Sequence, residues 1–187
     1  TLLRKYPTLK FALSEGGIGW VPYFLERADY TYAHHHAWTH QDFGNKLPSE
    51  VFREHIFNCF IDDKAGIRMR DLIGIETIMW ECDYPHSDTT WPCAPETLWE
   101  SLGGVSDDDI NKITHENAMR WFNYDPFKYR SREKCTVGAL RAQAKHVNVD
   151  LVSHSRGKPP SDFKKGYATI EDIVTQMAGA LANVKVK

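Results

Sequence analysis

An aspartate, a histidine three residues later, then a serine and a second aspartate stand together in Asp83-Tyr84-Pro85-His86-Ser87-Asp88, directly behind the apolar run Ile75 to Trp80. An ionised carboxylate there suits a hard or borderline divalent ion, and a bound metal makes its water acidic. The same carboxylate could instead accept backbone N–H groups in a turn or cap a helix. His86 could orient a ligand or move protons near neutral pH. Its plainer role is a loop histidine, with Ser87 or Asp88 capping the next helix. Trp91 could wall a pocket or simply pack.

Three further places hold groups of the same kind. Glu15 precedes Gly16-Gly17; it could serve as a general base whose acidity burial tunes, or be tied to backbone N–H groups. Gly16, Gly17 and Gly19 permit close backbone approach or positive φ, without the Gly-x-Gly-x-x-Gly of a dinucleotide loop. Asp62 and Asp63 end a second apolar run; one is expected to face a shared mouth and the other to cap a helix, and alternation does not say which. His36 and His40 have the i, i+4 spacing of a zinc pair, but no Glu completes His-Glu-x-x-His. A solvated or stacked cluster in a long connection is the expectation for them. Arg68 and Arg70 are expected on a helix surface.

The elements that must position these groups are short. Leu9 to Leu13, Ile56 to Ile61 and Ile75 to Trp80 are continuous apolar runs of strand length, as in parallel sheets covered on both faces. Helices are expected over Val21 to Arg27, over Ala65 to Ile73 ended by Gly74, over Glu96 to Leu102, and from a Ser106 cap to near Asn123. Asn117, on an apolar helical face, needs buried partners for its amide. Polar residues at the carboxyl ends of successive parallel strands gather around one opening, so Glu15, Asp62, Asp63 and Asp83 should share a mouth.

The chain has 187 residues, 42% of them hydrophobic, with 23 Lys and Arg against 25 Asp and Glu. That length and composition fit a soluble domain with its own core. The mixed, near-neutral charge gives no footprint for nucleic acid, and no run is long enough to span a membrane. A cytoplasmic location and a small-molecule partner are expected. Four cysteines without CxxC spacing are expected to be reduced thiols.

Four ordered stretches carry a resemblance: Tyr6 to Asp29, Cys59 to Gly66, Asp83 to Pro92 and Glu116 to Asn123. Together they resemble the amidohydrolase-2 family, which is similar to the aminocarboxymuconate semialdehyde decarboxylases and includes metal-dependent hydrolases, hydratases and decarboxylases on a TIM barrel. The resemblance implies an α/β fold: a partial TIM (β/α)8 barrel of about the last three βα units over residues 1–127. Residues 128–187 are then a C-terminal extension with a terminal helix over 170–184. A complete barrel needs about 250 residues. The family's opening His-x-His and its further metal histidine have no counterpart here. The chain is thus expected to be a fragment, or to be completed by a complementary barrel half or another copy as a homo-oligomer, since open strand edges invite association.

By the same resemblance Asp83 is the metal ligand, with zinc as the divalent metal. Asp83, Glu15 and His86 form the catalytic set, and Trp91, Ser87 and Gly17 face substrate. Similar decarboxylases place His where this chain has Glu15, and a glutamate cannot act as an imidazolium. Two functions follow: a hydrolase or decarboxylase acting on a small carboxylated or carbonyl substrate, or a catalytically silent partial barrel serving as a partner or oligomerising subunit.

Overall fold

The computed structural model describes residues 2–147, so the helix expected over 170–184 lies outside the described residues. Three strands form one parallel sheet in the order β1-β2-β3: β1 (Phe11–Leu13), β2 (Ile56–Phe60) and β3 (Ile78–Trp80). Leu13 pairs with Asn58, and Asn58 with Ile78, so all three strands end on the same side. Each parallel step needs a crossover. The first runs through α2 (Val21–Thr39) and α3 (Pro48–His55), the second through α4 (Lys64–Arg68) and α5 (Arg70–Ile73). A short helix, α1 (Leu2–Lys5), precedes β1.

After β3 come α6 (Ala94–Leu102), α7 (Asp107–Asn111), a π-helical turn over Lys112–Glu116, and α8 (Asn117–Phe122). Ser106 caps α7 by accepting from the Asp109 N–H at 3.2 Å. Asp109 does not reach back to close a capping box; its carboxylate pairs with Arg70 at 3.0 Å. Asn123, at φ 49°, ends the run where the sequence places the stop. Beyond it, α9 (Val137–Gln143) is tied to α6 by Arg141 and Glu96.

The core lies where α2, α4, α5 and α6 cover one face of the sheet, around Ile18, Val21, Phe60, Ile67, Ile73, Ile78 and Leu102. Each such side chain contributes about 1.5–3 kcal/mol when fully removed from water. The other face carries a smaller cluster of Phe57, Cys59 and Met79, with Trp121 of α8 against Phe57 at a ring separation of 4.5 Å.

Three local expectations change. The first strand is not covered on both faces: Phe11 is 39% exposed, whereas Ile78 and Met79 of the other edge strand, β3, are buried. Ile75–Thr77 form a 3-10 turn rather than strand. The Ala33 to His40 stretch is no loop; it continues α2, whose last turn ends at His40 with φ 54°. There Tyr30 stacks on His34 at 4.0 Å and Trp38 donates to His35 at 3.2 Å, so the cluster is an exposed aromatic ladder.

Candidate active site at the carboxyl ends of the strands

Glu15 follows β1 by two residues, Asp62 follows β2 by two, and Asp83 follows β3 by three. Parallel direction therefore delivers three acids to one end of the sheet. Two of them sit in the left-handed backbone region, Glu15 at φ 63° and Asp83 at φ 54°. Such a conformation costs a non-glycine residue about 1–2 kcal/mol, and retained strain of this kind concentrates at functional sites.

The Asp83 turn is closed twice. The His86 backbone N–H donates to the Asp83 carbonyl at 2.9 Å, and His86 Nδ1 lies 2.8 Å from Asp83 Oδ1. Glu15 reaches the same imidazole at 3.6 Å. One donor atom from each of Glu15, Asp83 and His86 lies within 4.8 Å of the others, the one such group among the described residues. The Asp83 side chain is only 10% exposed, whereas Glu15 and His86 are 54% and 66% exposed. A fixed, sheltered carboxylate thus faces two groups that can adjust.

Glu81, which the sequence did not single out, braces this arrangement by accepting from the Glu15 backbone N–H at 2.5 Å. Its signal was its place, the first residue beyond β3. The acid pair after β2 divides its work. Asp63 caps α4, accepting from the N–H groups of Ile18, Gly19 and Gly66, each at 2.7 Å. Asp62 accepts from Ser101 at 2.7 Å and faces the mouth. The mouth is a cavity of about 490 Å³ lined by Glu15, Gly16, Gly17, Asp62, Asp88 and Thr90, among others; contrary to expectation Asp63, turned into the α4 cap, and Asp83, turned to His86, are not among its lining.

Of the residues expected to face substrate, Gly17 lines that cavity, at φ 63°. Ser87 and Trp91 do not: Ser87 donates to Asp88 at 3.2 Å, and Trp91 packs on Tyr84 at a ring separation of 5.4 Å. Neither Ser87 nor Asp88 caps α6, whose N-cap is Cys93. His36 and His40 gather no third donor among the described residues. Asn117 is 1% exposed and donates to the carbonyls of Ile75 and Ile78, both at 2.8 Å, clasping α8 to the approach to β3.

The donor chemistry fits a divalent ion. Two carboxylates and an imidazole are oxygen and nitrogen ligands, and donors on one such ion stand about 3–4 Å apart. His86 Nδ1 already stands 2.8 Å from Asp83 and 3.6 Å from Glu15.

The sequence profile of the amidohydrolase family matches residues 1–124. No curated protein sequence matches. Among solved structures, 5-carboxyvanillate decarboxylase from Sphingomonas paucimobilis is 26% identical with a TM-score of 0.54, covering 66% of this chain and 36% of its own. An amidohydrolase from Mycobacterium avium subsp. paratuberculosis K-10 is 22% identical with a TM-score of 0.53, over 64% of this chain and 29% of its own. A 5-carboxyvanillate decarboxylase from Novosphingobium aromaticivorans DSM 12444, complexed with manganese and 4-hydroxy-3-methoxy-5-nitrobenzoic acid, is 20% identical with a TM-score of 0.52, over 66% and 35%. The last two likenesses are of fold. This chain spans about a third of the length of these solved relatives. With its profile match over most of the described residues and its parallel sheet, the chain belongs to the amidohydrolase family.

Proposed function

We propose that these residues form the last three βα units of a metal-dependent amidohydrolase barrel that hydrolyses or decarboxylates a small carboxylated or carbonyl compound. The observation that carries the reading is the convergence of Glu15, Asp83 and His86 within 4.8 Å at the carboxyl ends of the strands. The 26% identity to a decarboxylase adds to it. The remaining units of the barrel, and with them any further ligands, come from a complementary half or a longer chain.

Asp83 is the principal metal ligand, joined by Glu15. Zinc and manganese both suit this set, since carboxylate and imidazole bind either. When bound, the ion acidifies water and polarises a carbonyl or carboxylate oxygen. The chain's own groups then handle the proton. With Nδ1 donating to Asp83 Oδ1, His86 is held in the tautomer whose Nε2 is free to accept a proton. Asp83 stabilises the imidazolium that results. Glu15, half exposed and 3.6 Å from the same ring, serves as the second carboxylate of the ion's site, leaving His86 Nε2 as the group that accepts the proton. Gly17 brings bare backbone to the cavity wall, where a side chain would crowd Asp63 at 3.2 Å.

The test joins this chain to the missing βα units in one polypeptide and follows release of carbon dioxide or hydrolysis of small aromatic acids and esters. Turnover that falls by about 100-fold or more in Asp83→Asn supports the reading. Turnover unchanged by Asp83→Asn refutes it.

The second reading, a silent partner or oligomerising module, is favoured by one observation, the exposed β1 edge. It predicts assembly without turnover or stoichiometric metal.

A further inference from the structure

At the opposite end of the sheet from the acidic mouth lies a second cavity, of about 360 Å³, lined by Lys10, Arg53, Glu76, Thr77, Arg120 and Trp121. Lys10 immediately precedes β1, Arg53 stands three residues before β2, and Thr77 immediately precedes β3. The parallel strands that carry acids to one end therefore carry cations to the other. Three cations line this cavity against a single carboxylate. That carboxylate is already matched twice, by Arg120 at 2.8 Å and by Lys112 at 3.1 Å.

Arg53 is left with partial charges only, and Lys10 with a carbonyl and the nearby Glu54 carboxylate, which Lys46 already pairs. Arg53 donates to the carbonyls of Ile73 and Leu72 at 2.9 and 2.8 Å, and Lys10 to the carbonyl of Glu54. Lys10 also lies over the Trp121 ring, 4.8 Å from its centroid. The walls are fixed in advance. The Arg53 stem passes over Gly74, where an added Cβ would come within 3.3 Å of Arg53 Cδ. Trp121 is held by Phe57 and by its indole N–H to the Glu76 carbonyl at 3.3 Å. Ordering these side chains costs a ligand little, and a charge-assisted hydrogen bond to an anion is about twice as strong as a neutral one.

We infer that this cavity, framed by Lys10, Arg53, Arg120 and Trp121, binds the oxyanion group of a small molecule, a phosphate or a carboxylate, away from the candidate active site. Its test is a titration of the full chain with inorganic phosphate and, separately, benzoate at constant ionic strength. The readout is the NMR resonance of the Trp121 indole N–H, assigned with Trp121→Phe. Saturable movement with either anion is expected, and the anion that saturates identifies the class. Lys10→Gln should weaken binding roughly fivefold, as should Arg53→Gln, while Lys10→Arg retains it. Lys10 is exposed, so its variants keep the test sharp even if Arg53→Gln unfolds. Movement that grows linearly with both anions, or affinity unchanged in Lys10→Gln, overturns the inference.

Discussion

The two acids nearest the proposed chemistry are also two of the four non-glycine residues with positive φ among the described residues. That coincidence makes a trade of stability for function testable one residue at a time. Glu15→Gly removes the backbone strain together with the carboxylate. It should raise stability by about 0.5–1 kcal/mol in a denaturant titration while weakening metal binding. A loss of stability would show that the side chain, not its backbone position, matters there. Cys59 offers a second residue-level check. Burial, with Glu81 nearby, pushes its thiol up to about 11. At neutral pH iodoacetamide should label the partly exposed Cys82, Cys93 and Cys135 well before Cys59. Glu15, Asp83 and His86 were marked by type and position alone, and the fold adds that they stand within 4.8 Å of one another. That Ser87 and Trp91 lie outside the cavity lining was not legible, because a turn two or three residues long decides which way a side chain points, and no periodicity governs a turn.

Among the elements, the joint between the β1–α2 loop and α4 depends on one carboxylate. Asp63 satisfies three backbone N–H groups from both segments, and Gly66 lies so close that an added Cβ would meet Ile18 at 2.2 Å. Asp63→Ala strands those donors and should cost about 2–4 kcal/mol by chemical denaturation, while Asp62→Ala, outside the joint, should cost far less. The π-helical turn carries a pH response. Burial, with Arg132 near, holds His115 below its ordinary value of 6.5. The unfolded chain therefore takes a proton that the folded chain resists, and stability should decline as pH falls below about 6.5, levelling off under the folded value. A melting temperature measured against pH should flatten in His115→Gln. Sequence marked β2, the Ser106 cap and the Asn123 stop because apolar runs and capping residues are local signals. It missed the full length of α2, where histidine and aromatic residues disguise a helix that stacking holds together.

At the scale of the described residues, the cavity at the strand ends carries the carboxylates of Glu15, Asp62 and Asp88, and the cavity at the strand starts carries Lys10, Arg53 and Arg120 around Glu76. Parallel topology puts the strand ends on one side, which is why Glu15 and Asp62 were legible as neighbours in the mouth. The opposing cavity was not, because its members are scattered from Lys10 to Trp121 and only folding brings them together. Among the described residues, the β1 edge leaves Phe11 exposed and its backbone unpaired on one side. Sedimentation should show mass rising with protein concentration, and Phe11→Lys should suppress the rise. A monomer at all concentrations would contradict association through that edge. The most direct test of the central claim is calorimetric titration of the 187-residue chain with manganese, repeated with zinc, beside Asp83→Asn. One saturable site per chain, weakened about tenfold or more in Asp83→Asn and also weakened in Glu15→Gln, is the predicted result. Equal affinity in all three proteins, or no saturable binding of either ion, would contradict a metal centre built on Asp83.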